Sequence, residues 1–209
     1  MELILIRHGE TLWNKEGRVQ GFSDIDLNDT GHNQARQLAL SLKDSPIQAV
    51  YSSPLIRAQK TARMINQYHD APIYIESGLM EMDQGDFEGL SFHELMACEK
   101  DFLQKWLANP ASVQIPNGES FIELQARAWN VIESIIDKSE NALVVSHNFT
   151  IAAILCKIKN VSLSQFRKVC VDTASKTIIR FENGTASIEL FNGSAGMRYN
   201  AISIIRESP

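Results

Sequence analysis

Cysteine is scarce, and its pattern excludes two readings. Cys98, Cys156 and Cys170 are the three cysteines among 209 residues, odd in number and far apart. Neither a disulfide framework nor a cysteine-based metal site is spelled out by that spacing. Buried, inert thiols in a reducing, cytoplasmic setting are the simplest reading. Long apolar runs are also missing. None approaches the roughly 20 residues needed to span a bilayer. The N-terminal run is short and has no basic leader, so no signal peptide is expected. Positive charge is not in excess either. Twenty Lys and Arg face 25 Asp and Glu, a formal net charge of -5. That balance counts against nucleic acid or an anionic membrane as the main partner. It leaves an anionic small molecule open, because local charge decides a pocket. Repeats, low-complexity tracts and linkers are absent as well. What remains is ordinary globular composition, 44% hydrophobic and 22% charged, on a length suited to a single α/β domain spanning residues 1–209.

What is present is organised around Leu3-Ile4-Leu5-Ile6-Arg7-His8-Gly9-Glu10-Thr11. A continuous apolar run ends abruptly in a cation and an imidazole, and a glycine then lets the backbone turn away. The run reads as a strand covered on both faces. Further strands are expected at 47–51, 72–76 and 142–146. A late pair at 176–181 and 186–191 is split by the hairpin signal Asn183-Gly184.

Helices alternate with these strands. Asn28 caps one whose apolar stripe is Ala35, Leu38, Ala39 and Leu42. Ser53 and Pro54 read as N-cap and first residue of a second, running towards Gln67. Residues 91–109 read as helical, within a lid-like insertion at 91–116. Phe121, Leu124, Ala128, Val131, Ile132, Ile135 and Ile136 keep the 3.6 period of another helix, opened by Glu119-Ser120. A last helix follows His147 through Cys156. The alternation implies a three-layer αβα sandwich on a mainly parallel sheet.

In open α/β sheets ligands bind beyond the carboxyl ends of the strands. Four polar elements here follow strands: Arg7-His8, Arg57, Glu81 and His147. Taken singly, each has an ordinary reading as a capped histidine, a solvated helix arginine or a member of an acidic loop. Together they make one site. A phosphomonoester carries nearly two negative charges, which Arg7 and Arg57 are suited to neutralise. Neighbouring cations keep His8 neutral and nucleophilic. His147 can donate to the phosphoryl oxygens as charge shifts. Glu81 is the candidate acid for the leaving alkoxide and the base for the following water, since a phosphate dianion beside it favours its protonated form. Glu88 is an alternative for that role. Amides at the start of the helix near Pro54 could add attraction if they face the site. Phe22, Met80, Phe102, Trp106 and Arg198 are candidate lining groups, and residues 193–206 are a candidate cover.

The chain resembles the histidine phosphatase superfamily, in its phosphoglycerate mutase-like branch. The resemblance rests on Arg7-His8-Gly9-Glu10-Thr11-Leu12-Trp13-Asn14, on Ser52-Ser53-Pro54-Leu55-Ile56-Arg57-Ala58-Gln59-Lys60-Thr61-Ala62, on Leu79-Met80-Glu81 with Gly85-Asp86-Phe87-Glu88-Gly89, on Gly118-Glu119-Ser120, and on Val144-Val145-Ser146-His147. It implies a phosphoglycerate mutase-like fold, with His8 phosphorylated and Glu81 the acid–base. Arg7, Arg57 and His147 would bind the phosphoryl group, Asn14 would add a donor, and Gln20 and Gly21 would line the pocket. Glu88 takes a supporting role. No metal or other cofactor is implied.

Two positions depart from the family pattern. Asn148 follows His147 where the family usually has glycine, which narrows the allowed backbone angles. Met82-Asp83-Gln84 follows Glu81 where cofactor-dependent mutases carry Arg-His-Tyr. The second departure favours a metal-independent phosphomonoesterase over a mutase, and the intact set of His8, Arg7, Arg57, Glu81 and His147 argues against a non-catalytic phosphate-binding module, which does not require Glu81. The expected partner is a small phosphorylated metabolite of the broad-specificity, α-ribazole phosphate or phosphoserine type. The late exposed strand leaves room for a sheet-extending homodimer.

Overall fold

Six strands hydrogen-bond in the order β3-β2-β4-β1-β5-β6. They are β1 (Glu2–Arg7), β2 (Ala49–Ser52), β3 (Ile73–Ile75), β4 (Ala142–Ser146), β5 (Lys176–Glu182) and β6 (Thr185–Gly193). The structure, a computed structural model, describes residues 1–138 and 140–194. The first four strands in that order run parallel, and β5 and β6 continue the sheet antiparallel. The expected three-layer, mainly parallel architecture is the one observed.

Seven α-helices surround the sheet among the described residues: α1 (Leu12–Glu16), α2 (Asp29–Leu42), α3 (Ile56–Asn66), α4 (Phe92–Cys98), α5 (Lys100–Ala108), α6 (Phe121–Lys138) and α7 (Asn148–Ile158). Strand alternation decides which face each residue covers. Ile4, Ile6, Leu143 and Val145 pack against Leu38, Ala39 and Leu42 of α2 and Ala58, Ala62 and Ile65 of α3. Leu3, Leu5, Ala142 and Val144 pack on the opposite face against α6 and α7. Each fully buried Leu, Ile or Val contributes roughly 1.5–3 kcal/mol of transfer free energy. The consecutive apolar residues of β1 are therefore needed on both faces.

Several local expectations need correction. Residues 91–109 are two helices rather than one, broken at Glu99, whose φ of -121° and ψ of 37° leave the helical region. A short helix not expected from the sequence, α1, follows the first strand and is opened by a Thr11–Asn14 capping box. Helix α3 starts at Ile56, after Pro54. Its N-cap position is Leu55, which offers no side-chain cap. The reason is that the Ser53 hydroxyl is used elsewhere and Asp24 reaches across to accept from the Ile56 amide at 2.6 Å. Strand β3 is exposed along its whole length, as suits a short edge strand.

Candidate active site

Strand β4 lies between β1 and β2, with Arg7 in register with Ser146. The residues after both strands therefore meet, and the rings of His8 and His147 stand 5.0 Å apart, tilted by 59°. The backbone of His8 is fixed on both sides, donating to Ser146 O at 3.1 Å and accepting from Ala174 N at 3.0 Å.

The glycine after it serves a purpose other than turning. Gly9 has no positive φ. A Cβ built there would lie 2.5 Å from the carbonyl oxygen of Gly31, and one on Gly31 would lie 2.0 Å from that of Glu10. The start of α2 packs backbone against backbone on the segment that carries His8.

That packing presents the imidazole in one state. His8 Nδ1 lies 2.7 Å from Gly9 O. A carbonyl only accepts, so Nδ1 carries the proton and Nε2 keeps its lone pair. Burial, then the cations of Arg57 and Arg7, hold the ring well below the usual histidine range, and it is neutral.

Both arginines are buried and anchored by carbonyl groups. Arg7 donates from NH1 to Val171 O at 2.6 Å. Arg57, the second residue of α3, donates to Ser23 O at 2.7 Å and Gly21 O at 2.8 Å. Burial lowers both guanidinium groups, Arg57 to about 10, so each stays charged at neutral pH. Their Nε–H groups are buried without a partner among the described residues, as is Nε2 of Gln84. Buried donors left unpaired cost free energy. Three of them around one histidine are an excess that an anion with several oxygens would satisfy.

His147 completes this end. Its Nε2 lies 2.8 Å from Ser53 Oγ, which accepts from the Leu55 amide at 3.2 Å. With that amide directed at the oxygen, the serine hydroxyl can donate to Nε2. The His147 proton then sits on Nδ1, a buried atom with no partner. Burial, Arg57, His8 and Arg7 keep this ring neutral as well. The expected contribution of amides at the start of α3 needs correction. The Leu55 and Ile56 amides are taken by Ser53 and Asp24.

The helix start that does face the site is that of α7. Glu81 accepts there from Phe149 N and Thr150 N, both at 3.3 Å, and from Met82 N at 2.9 Å. Arg127 braces the same loop, donating to the carbonyl groups of Gly78, Met80 and Glu81 while paired with Glu119. Asn148 is the first residue of α7, with φ outside the left-handed region, so a non-glycine residue fits without strain. Its Oδ1 accepts from Val171 N at 3.0 Å, and the carbonyl of the same residue, Val171, accepts from Arg7.

Asn14, Gln20 and Gly21 line the same pocket as His8, Arg7, Arg57 and Glu81. His147 stands just behind. Glu88 is placed differently, since its carboxylate is occupied by the Phe22 amide at 2.6 Å and the Ser23 amide at 2.8 Å. Gly21 passes over it with φ of +53°, where a Cβ would overlap the carboxylate oxygen.

The pocket has a volume of about 480 Å³ and continues away from His8 between apolar walls, among them Phe87, Phe102, Trp106, Phe149 and Phe166. Of the candidate lining groups, Phe102 and Trp106 are there. Phe22 and Met80 are not; Phe22 stacks under Arg127 at 5.9 Å. Arg198, with residues 195–206 of the candidate cover, lies outside the described residues. Among the described residues, no group of three or more His, Cys, Asp or Glu is placed to hold a metal ion, and no helix is long and apolar enough to cross a membrane.

The family model for the histidine phosphatase superfamily, branch 1, matches residues 3–194. The chain belongs to the histidine phosphatase superfamily. Phosphoserine phosphatase 1 of Hydrogenobacter thermophilus is 33% identical over 184 residues, 87% of each chain. The metal-independent phosphoserine phosphatase of Arabidopsis thaliana is 38% identical over 167 residues, 77% of this chain and 70% of that one. The α-ribazole phosphatase of Shigella flexneri has the same fold at a TM-score of 0.85 and 29% identity, covering 96% of this chain and 100% of that one.

Within this histidine phosphatase fold, several supporting residues escaped the sequence reading. Ser53 was visible only as a helix cap. Thr61, whose Oγ1 accepts from the Gly9 amide at 3.2 Å, and Arg127 sit on helices where a polar residue reads as solvent-facing. Asp24 and Asn148 act through contacts 32 and 23 residues away, which no local pattern signals.

Proposed function

We propose that the chain is a metal-independent phosphomonoesterase that forms a phosphohistidine on His8. The observation that carries the reading is the pairing of a neutral His8, its Nε2 lone pair left free by the Nδ1 bond to Gly9, with two buried arginines whose Nε–H groups lack partners. In the first step Nε2 attacks phosphorus and the bond to the leaving oxygen breaks. Arg7, Arg57, Gln84 and the Nδ1–H of His147 receive the phosphoryl oxygens, and Glu81 delivers a proton to the departing alkoxide. In the second step Glu81 takes a proton from water, the water oxygen bonds to phosphorus, and the bond to His8 breaks. Asn14, Gln20 and Gly21 border the phosphoryl group.

The substrate in this reading is a small phosphorylated metabolite with an aromatic or otherwise apolar part. The walls around Phe102 and Trp106 support the apolar part, as does the relative named as an α-ribazole phosphatase, and the relative named as a phosphoserine phosphatase supports a small phosphorylated metabolite. Residues 91–116 serve as a lid-like insertion within one domain, and a cytoplasmic setting belongs to the same proposal.

Rapid quenching after mixing with ³²P-labelled phenyl phosphate tests it. Base-stable, acid-labile label should appear on the wild type, be absent from His8→Ala, and accompany phosphate release that EDTA does not change. Label retained in His8→Ala would sink the assignment. Accumulation of 2-phosphoglycerate from 3-phosphoglycerate, dependent on added bisphosphoglycerate, would replace it with a mutase.

A further inference from the structure

The pocket carries charge that the proposed chemistry does not use. Besides the apolar walls and the residues around His8, the lining includes two exposed arginines, Arg18 and Arg167. They differ in what they already hold. Arg18 is committed, its Nε to Glu16 at 2.9 Å and its NH1 to Gly89 O at 2.8 Å, with Glu94 at 3.9 Å. Arg167 donates once, from NH1 to Leu107 O at 3.2 Å, and lies over the Phe166 ring at 5.0 Å. Among the described residues it forms no ion pair. A carbonyl and a ring position this guanidinium, and its other donors are left over.

The bond to Leu107 O places this guanidinium at the end of α5, beside the pocket wall formed by Phe166. Among the described residues Glu81 is the one acidic residue lining the pocket, and its carboxylate accepts from the amides of Met82, Phe149 and Thr150 at the start of α7. At Arg167 a cationic group on a bound molecule would meet like charge, and an anionic group would meet a guanidinium that has no ion-pair partner among the described residues.

We propose that Arg167 is a specificity-determining residue that binds a second anionic group, a carboxylate or a further phosphate, on the leaving-group part of the substrate. The inference rests on the phosphomonoesterase reading and narrows it. The substrate is a phosphate ester whose carbon body lies along Phe102, Trp106 and Phe166, with negative charge at its far end. An ester bearing an ammonium there is disfavoured.

Four aryl phosphates of near-equal leaving-group acidity test this: phenyl phosphate, and its para-substituted 2-carboxyethyl, 2-aminoethyl and 2-phosphonoethyl derivatives. For the wild type, kcat/KM should be about tenfold higher for the carboxylate than for phenyl phosphate, and lowest for the amine. The advantage should fall to within about twofold in Arg167→Gln, and the amine should overtake the carboxylate in Arg167→Glu. The ratio between substrates is the readout, so an overall change in turnover does not obscure it. Phosphonate above carboxylate would name a phosphate-class group, and the reverse order a carboxylate. Equal kcat/KM for charged and neutral esters in the wild type, or a carboxylate preference that survives Arg167→Gln, would overturn the role of Arg167. No turnover of phenyl phosphate would fell the phosphomonoesterase reading itself, and this inference with it.

Discussion

The two ends of the pocket are built from different materials. At the His8 end, side chains project from the ends of parallel strands, are buried, and are held by backbone groups of other segments: Arg57 by Gly21 and Ser23, Arg7 by Val171. At the other end, the walls come from two short helices and their neighbours, and apolar side chains such as Phe92, Met96 and Leu107 stand 64%, 44% and 56% exposed. The first end stores unpaired donors in a rigid frame, which favours chemistry on one kind of group. The second offers adaptable apolar surface, which favours choice among substrates. In the proposed function, reaction and selectivity fall to separate elements, and they should respond separately to substitution.

The largest break is expected at the rigid end. Arg57→Ala removes the charge that meets the phosphoryl group in the proposed reaction and frees two carbonyl groups. It should lower kcat/KM by about 10²–10³-fold for every ester, whatever its leaving group. Steady-state kinetics on alkyl and aryl phosphates checks this, and a loss confined to one class would erase the division between the ends. Glu81→Gln should divide substrates instead. An alkyl phosphate, whose leaving group needs a proton, should slow by about 10²-fold, and p-nitrophenyl phosphate by only a few-fold. Equal losses would remove Glu81 from the acid role.

At the adaptable end, Trp106→Ala should cost about tenfold in kcat/KM for naphthyl phosphate and little for ethyl phosphate. Trp106 also packs against Phe102, Phe121, Phe149 and Phe166. Thermal unfolding should therefore register a loss of about 3–5 kcal/mol.

The smallest effect concerns pH. His8 and His147 are held neutral, well below the 6.5 they regain on unfolding. As pH falls below 6.5 the unfolded chain binds protons that the native state refuses, so stability declines towards acid and is fully present above 6.5. The midpoint of denaturant unfolding should fall between pH 7 and pH 5, and fall less in His8→Asn. A midpoint that rises over that interval would contradict the buried, neutral rings.

The same contrast explains what could be read from the chain alone. The sheet and its two helical layers were legible because consecutive or periodic apolar residues, such as Leu3–Ile6 and the Phe121–Ile136 stripe, have few other uses. Arg7, His8, Arg57, Glu81 and His147 stood out because polar groups directly after such strands share one edge when the strands are parallel. The supporting contacts were hidden. Ser53 looks like a cap whether or not a histidine claims its hydroxyl, and Asp24 caps a helix that begins 32 residues later. The break at Glu99 was illegible because the apolar spacing of residues 92–107 is compatible with one helix or two. Phe102 and Trp106 have the same appearance in a core and in a pocket wall, so the adaptable end was visible only as a set of candidates.

The contact between Gly9 and Gly31 has a consequence for inheritance. Most close-packed pairs leave an escape, because a residue enlarged by mutation can be rescued by trimming its neighbour. Here the neighbour is main chain on both sides, and nothing is left to trim. Substitutions at either position should therefore lack second-site suppressors at the other, and a selection for revertants should return true reversions at these codons.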